Sequence, residues 1–425
     1  MELWEEQENT CERAVLVGLH ANTFTKEEDA SWESLDELED LLETAGGECA
    51  AKMLQNRAAP DARTFLGEGK VQELCELAKQ NDATLIVVDN ELSPSQMRVL
   101  EEMTGRTVLD RSALILDIFA QRARTGEGKL QVELAQYQYI LPRLAGMGKV
   151  LSRQGGGIGT RGPGETKLES DRRHIRRRID KLRRDLESVR QVRSVQRRQR
   201  KKAELPLVAI VGYTNAGKST LLNTLTGAGI EANDRLFDTL DPTTRKLRIS
   251  DTQEILLSDT VGFIRKLPHH LVSAFKATLE ELSYADVLLH VVDISSDDWR
   301  EQAETVDQVI AQLDAGQIPQ ILVCNKADRC SNPDLIPSGR GVVAISAKYG
   351  RGMDELKAAI EEALGRGKHR VTLLIPYADG YRLDQIHQEA KVFATEYEAE
   401  GTRVEIECDD KLYGQLREYE VSADG

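Results

Sequence analysis

Aromatic residues are scarce in this chain, 5% of 425, and cysteine is scarcer still, with six. Cys11, Cys49, Cys75, Cys324, Cys330 and Cys408 form no C-x-x-C pair, and no histidine lies near two of them at metal-ligand spacing. That argues against a disulfide framework and a zinc site, and for reduced thiols. No apolar run approaches the roughly 20 residues that a membrane helix requires. The opening residues, Met-Glu-Leu-Trp-Glu-Glu, are acidic and lack the basic-then-apolar order of a secretory leader. A cytoplasmic chain without a membrane span is expected.

Charge, by contrast, is plentiful and unevenly spread. The formal net charge is −15, yet Arg161 to Lys202 carries 17 Lys and Arg against 6 Asp and Glu, so the remainder stands at −26. One basic segment on an acidic chain is a localised electrostatic signal.

The alternation of apolar periods predicts an α/β architecture. After an acidic, frayed segment 1–12, residues 13–110 read as a small α/β subdomain with a largely parallel sheet. Arg13–Leu19, Glu48–Leu54 and Leu85–Asp89 are its strands; Ser34–Ala45, Gly69–Lys79 and Ser93–Met103 are its helices. Residues 111–203 carry two helical seams. Leu130, Leu134, Tyr137 and Leu141 recur at spacings of 4, 3 and 4 before Pro142 disturbs the helix. Ile175, Ile179, Leu182, Leu186 and Val189 recur at 4, 3, 4 and 3. A loop over 155–164, with six glycines, joins them and cannot be helical, so an antiparallel coiled-coil hairpin is expected. Residues 204–364 alternate nearly continuous apolar strands with helices, the look of a mostly parallel sheet covered on both faces. After a short linker, 369–425 reads as a small α+β domain of about three strands and two helices. 

Gly212-Tyr213-Thr214-Asn215-Ala216-Gly217-Lys218-Ser219 matches G-x-x-x-x-G-K-[ST] between a strand and a helix. Glycines let backbone amides wrap the α- and β-phosphates, and the helix N-terminus through Thr220 adds positive potential. Lys218 reaches β- and γ-phosphate oxygens, and the Ser219 hydroxyl is a Mg²⁺ ligand. Asp259-Thr260-Val261-Gly262 follows a second buried strand, 40 residues beyond Ser219. Asp259 is positioned for Mg²⁺, and the Gly262 amide for the γ-phosphate. Asn325-Lys326-Ala327-Asp328 follows another strand. The Asp328 carboxylate can accept from guanine N1 and N2, which adenine cannot match. Asn325 would brace the loop and the Lys326 stem would cover the base. Ser346-Ala347-Lys348 stands in register to offer the Ala347 amide to guanine O6.

The stretch Phe237-Asp238-Thr239-Leu240-Asp241-Pro242-Thr243-Thr244 must supply a threonine that closes over Mg²⁺ and the γ-phosphate. Thr239 is the favoured one, with Phe237, Asp238 and Leu240 beside it at the nucleotide. Lys218, Thr239 and Gly262 are thus the expected catalytic contacts. Phe263 stands where Ras-like enzymes carry a water-orienting glutamine. Slow unaided hydrolysis follows, with water placed by another group or a partner, unless backbone and ions suffice. Asn215 is a candidate K⁺ ligand or a brace for its loop. The Phe65–Lys70 stretch is open to two readings, a second nucleotide site or a helix-opening turn.

Taken together, these residues resemble the HflX family of ribosome-associated GTPases (TRAFAC class, Obg-like/HflX superfamily). The glycine-rich run, Pro163–Arg173, Phe237–Arg245 and Phe263 are similar to that family's signatures, over roughly residues 13–364. The resemblance implies GTP and GDP as ligands and the large ribosomal subunit with its rRNA as partner. It further implies GTP-favoured binding, ribosome-stimulated hydrolysis, and splitting or rescue of stalled ribosomes. The residues agree independently. Arg172, Arg173, Arg176, Arg177, Arg178, Arg183 and Arg184 lie beside an apolar seam, and Arg153, Arg161 and Lys167 surround the glycine-rich tip. Such guanidiniums can neutralise phosphates; few aromatics interleave, so base stacking is not the evident mode. A GTP-dependent RNA chaperone or RNA-modification accessory protein is the alternative, and a monomer is expected.

Overall fold

A computed structural model describes residues 12–25, 28–153, 167–202, 205–227, 236–237, 243–250, 253–266, 282–330, 336–365 and 368–421. The chain divides into two compact units, Met1–Lys357 and Ala358–Gly425.

The first unit opens with a parallel sheet ordered β2-β1-β3-β4, made of β1 (Arg13–Ala21), β2 (Glu48–Arg57), β3 (Leu85–Val88) and β4 (Thr107–Asp110). Strand β1 alternates between two cores. Val15, Val17 and Leu19 face Val71, Leu74 and Leu100, while Ala14 and Leu16 face Leu35, Leu38 and Phe119. These partners come from helices α1 (Trp32–Ala45), α2 (Glu68–Gln80), α3 (Pro94–Thr104) and α4 (Arg111–Arg122). Local chemistry starts and stops them: Ser31 and Ser93 form capping boxes, Pro94 opens α3, and Gly46 and Gly105 close α1 and α3 in the left-handed region. The Phe65–Lys70 stretch is a helix-opening turn here, with α2 beginning at Glu68.

Helix α5 (Gly126–Arg153) runs on through Pro142, contrary to the expected disturbance. Proline removes one backbone donor, but the seam of Leu130, Leu134, Tyr137 and Leu141 is packed against Ile175, Ile179, Leu182 and Leu186 of α6 (Lys167–Lys202). That burial outweighs a local propensity. Glu133 and Arg178 add a 2.6 Å ion pair between the two helices. The glycine-rich 155–164 loop lies outside the described residues.

A six-stranded sheet follows, ordered β10-β9-β8-β5-β7-β6. It comprises β5 (Leu207–Gly212), β6 (Thr243–Arg248), β7 (Glu254–Asp259), β8 (Val287–Asp293), β9 (Gln320–Asn325) and β10 (Val342–Ala344), parallel except for the β6–β7 pair. Helices α7 (Lys218–Thr226), α8 (Trp299–Gln312) and α9 (Met353–Gly365) accompany it. This is a P-loop GTPase fold. One core is shared across the two sheets: Leu35, Leu38, Leu114 and Phe119 belong to the same buried cluster as Tyr213, Phe237, Val261 and Phe263.

The second unit holds β11 (Lys368–Pro376), α10 (Tyr381–Glu389), β12 (Lys391–Tyr397), β13 (Gly401–Asp409) and α11 (Asp410–Leu416). Its antiparallel sheet is ordered β11-β13-β12 and closes over Leu373, Ile386, Val404, Ile406 and Leu416. Among the described residues, no helix is long and apolar enough to cross a membrane.

Candidate nucleotide site

Strand β5 delivers the chain into the phosphate-binding loop. Gly212 has φ +154°, and a Cβ there would stand 2.2 Å from the Val291 carbonyl oxygen, so only glycine lets β5 lie this close to β8. Asn215 and Gly217 take φ of +58° and +92°. Helix α7 starts at Lys218 with no side-chain cap, which leaves its first amides for an anion. The buried Lys218 Nζ donates to the Tyr213 carbonyl oxygen at 2.6 Å. Burial pulls its pKa down to about 8, with Asp259 opposing.

Ser219 Oγ donates to Asp259 Oδ2 at 2.8 Å, and Asp259 Oδ1 accepts from the Thr260 amide at 2.9 Å. Thr260 Oγ1 in turn donates to the Ile210 carbonyl oxygen at 2.7 Å, which ties this end of β7 to β5. A hydroxyl and a carboxylate in contact are a hard-oxygen donor set. Among the described residues, no group of three or more His, Cys, Asp or Glu could hold a metal ion. An ion between Ser219 and Asp259 would therefore depend on phosphate oxygens to fill its shell, which is the habit of Mg²⁺. P-loop GTPases use Mg²⁺ with GTP in this way, and the residues present fit it.

At the opposite end, Asn325 joins two loops. Its Nδ2 donates to the Ala216 carbonyl oxygen at 2.8 Å, and its Oδ1 accepts from the Ala347 amide at 3.0 Å. A Cβ at Gly217 would stand 2.2 Å from that Nδ2, so glycine is needed there too. Asp328 Oδ1 accepts from Ser346 Oγ at 2.5 Å, and that bond holds the carboxyl below its usual range. Thr224 Oγ1 donates to the Ala347 carbonyl oxygen at 2.8 Å, fixing the turn that contains Lys348. Lys326 adopts φ +59° and pairs with Asp293 at 2.7 Å. The other Asp293 oxygen accepts from the Ser295 amide and hydroxyl at 3.0 and 2.6 Å. Sequence reasoning missed Asp293; its place at the end of β8, level with Asn325, was the available signal.

Asp238, Thr239 and Leu240 lie outside the described residues. Phe237, expected at the nucleotide, has its side chain elsewhere. Its ring is 2% exposed and meets Phe119 of α4 edge-on, with centroids 4.7 Å apart. Only its backbone is left to face a ligand. The Leu236 amide donates to Thr44 Oγ1 of α1 at 3.3 Å. Phe263 is likewise buried, and it pairs with the phosphate-binding loop: the Thr214 amide donates to its carbonyl oxygen at 2.7 Å and its own amide to Gly212 at 3.2 Å.

A buried polar chain then joins both loops to the N-terminal sheet. The Tyr213 hydroxyl donates to Glu37 of α1 and accepts from the Arg265 amide at 2.7 Å. Burial, then Glu37, pushes that hydroxyl well above its usual pKa. Arg111, fully enclosed, donates to Glu37 and, at 2.7 Å, to Asp89 Oδ1. Asp89 Oδ2 accepts from Ser34 Oγ at 2.8 Å and from Lys266 Nζ. Burial would raise the Asp89 carboxyl, but Arg111 and Lys266 overturn that and hold it below the usual range. Sequence reasoning missed this cluster. Asp89 follows β3 at the carboxyl end of a parallel sheet, where polar groups gather, yet Lys266 is 177 positions away.

On α6, Arg173, Arg176, Arg177, Arg183 and Arg184 are exposed, whereas Arg172 and Arg178 are half-buried and Arg178 is engaged by Glu133. Arg161 and the side chains of Arg153 and Lys167 fall outside the described residues.

Three family descriptions match consecutive stretches: "GTP-binding GTPase N-terminal" over 32–120, "GTP-binding GTPase Middle Region" over 122–200, and "50S ribosome-binding GTPase" over 207–326. Among similar curated proteins, "GTPase HflX" of Caldanaerobacter subterraneus subsp. tengcongensis is 47% identical over 98% of this chain and 96% of its own length. The protein of the same name from Lacrimispora saccharolytica is 48% identical over 95% of each chain. That of Escherichia coli is 46% identical over 89% of this chain and 90% of its own.

Proposed function

The chain belongs to the HflX family of GTPases, and from that premise we propose that it is a GTP-operated switch that docks on the large ribosomal subunit and splits or rescues stalled ribosomes. It hydrolyses GTP to GDP and phosphate. In this reading the N-terminal subdomain and the α6 arginines make the ribosomal contact, and the nucleotide decides whether that contact is held.

One observation carries the coupling. The segments on either side of the γ-phosphate position, Leu236–Phe237 and Val261–Lys266, are built into the N-terminal subdomain through the Phe119–Phe237 contact and the Lys266–Asp89 pair. A change at Gly262 is therefore felt at Glu37, Asp89 and Arg111, one subdomain boundary away. The exposed Arg173, Arg176 and Arg177 supply phosphate-neutralising charge on the helix that packs against α5. The match of residues 207–326 to the "50S ribosome-binding GTPase" family supports the same partner.

Within the site, Ser219 and Asp259 would hold Mg²⁺, Thr239 is the proposed third contact, and Asn215 is the candidate K⁺ ligand. Mg²⁺, when bound, supplies positive charge against the developing charge of the leaving phosphates. Asp328 selects guanine. The chain is proposed to act as a monomer in the cytoplasm and to turn over slowly alone, because Phe263 has no polar atom for water.

The test is GTP and ATP turnover, each with and without purified large subunits, in K⁺ and in Na⁺. Acceleration of GTP turnover by large subunits is expected. Subunits that leave the rate unchanged would overturn the ribosomal reading, ATP preference would overturn the role of Asp328, and equal rates in both salts would remove K⁺ from Asn215.

A further inference from the structure

The hydroxyl of Thr214 occupies a place that no ordinary packing residue needs. The side chain is 6% exposed, and Oγ1 is buried with no hydrogen-bond partner among the described residues. A buried hydroxyl left unpaired is unfavourable, and native structures retain few of them without a reason. The surroundings supply one. The Thr214 amide donates to the Phe263 carbonyl oxygen at 2.7 Å, so this residue is anchored on the position that lacks a water-orienting side chain. A Cβ built at Gly262 would stand 2.8 Å from Thr214 Cγ2 and 3.0 Å from Lys218 Nζ. The Thr214 methyl, Gly262 and the Lys218 ammonium thus lie together, so the residue that carries the unpaired hydroxyl stands beside two of the groups expected at the γ-phosphate.

Phe263 cannot serve there. Phe263 is 2% exposed, lies in the core shared with Leu35, Leu38 and Phe119, and its ring has no polar atom to offer a water. Among the described residues, the phosphate-binding loop carries a buried polar atom without a partner at Thr214 Oγ1, second in its variable part.

The geometry points to Thr214 as a catalytic residue whose Oγ1 accepts a hydrogen bond from the water that attacks the γ-phosphate. The water oxygen forms a bond to the γ-phosphorus as the bond from that phosphorus to the β–γ bridging oxygen breaks, and the bridging electron pair leaves with GDP. One water proton stays on the inorganic phosphate and the other passes to solvent. The threonine neither gains nor loses a proton; it orients. The inference rests on the GTPase reading and specifies how this chain replaces the missing glutamine.

The experiment compares the full-length chain with T214V, T214S and K218A in single-turnover GTP hydrolysis with Mg²⁺ and K⁺, with and without large subunits. Fluorescent mant-GDP affinity is measured in parallel. T214V keeps the shape and deletes the hydroxyl, so its rate should fall about tenfold or more, in the range of a lost transition-state hydrogen bond, while mant-GDP affinity stays within about threefold. T214S keeps the hydroxyl and should remain within about threefold of the parent rate. T214V hydrolysing at the parent rate while K218A is inactive would overturn the role of Thr214 and leave the GTPase reading intact. A loss confined to nucleotide affinity, or T214S as impaired as T214V, would overturn it too. A parent chain without GTP turnover would overturn both. If T214V fails to bind mant-GDP, T214A carries the comparison with the same expected outcomes.

Discussion

Replacing Lys266 with methionine deletes the ammonium that meets Asp89 and keeps most of the side chain's bulk. The Asp89 side chain is 0% exposed and that of Lys266 is 10% exposed, so solvent screens the pair little. Removing one partner of a buried pair costs about 3–5 kcal/mol when the other is left alone. Asp89 is not left alone, since Arg111 at 2.7 Å and Ser34 at 2.8 Å remain. The expected cost is therefore lower, about 2–3 kcal/mol, or roughly 30- to 150-fold in the opening equilibrium of the loop. Hydrogen exchange at the Thr214, Phe263 and Arg265 amides reads that opening directly, because each is bonded within the clamp. Exchange should accelerate by that factor in K266M. A double-mutant cycle with D89N should give a coupling of about 1–3 kcal/mol. Acid adds a signed check. Because the Asp89 carboxyl is held below its unfolded value, its contribution is complete above about pH 4 and is lost as pH falls through the depressed value. In K266M the carboxyl moves up toward its unfolded value, so the acid-dependent loss should be smaller and complete at a higher pH. Unchanged exchange, or a coupling under about 0.5 kcal/mol, would refute the claim that this pair holds the loop.

Two further outcomes are expected. Because burial draws Lys218 to about 8, roughly half of the nucleotide-free chains carry a neutral amine at pH 8, and an arriving phosphate should restore the charge. Calorimetry of GDP binding in buffers of different ionisation enthalpy should show uptake of about half a proton at pH 8, and buffer-independent heats at that pH would contradict it. On α6, changing Arg173, Arg176 and Arg177 together to glutamine should weaken large-subunit binding and reduce the slope of log affinity against log salt by up to about three, with nucleotide affinity unchanged. An unaltered slope would assign ribosomal contact to another surface.

Much of the site was legible because its parts are contiguous in the chain. The phosphate loop, Asp259–Gly262, Asn325–Asp328 and Ser346–Lys348 each announce themselves within a few residues, since backbone amides and helix starts are local objects. The α5 and α6 seams were legible for a similar reason: helical periodicity puts Ile179, Leu182 and Leu186 on one stripe before any partner is known. Strand β4 and helix α4 were passed over because their apolar residues follow one another without a turn signal, although Asp110 caps α4 through the Ala113 amide at 2.9 Å. Continuation of α5 through Pro142 was not legible either, because local propensity reads only the missing donor and α6 provides the compensation.

Residue order by itself therefore determined the family and, with it, the ligand chemistry proposed here: a triphosphate cradle, a hard-oxygen pair for a divalent ion, and a carboxylate for guanine. Tertiary structure alone decided what those groups are attached to. Glu37, Asp89, Arg111, Phe119, Tyr213, Phe237 and Lys266 are joined in pairs up to 177 residues apart in the chain. They meet only because two sheets share one core, and no short-range pattern encodes a contact whose free energy comes from excluding water between distant segments.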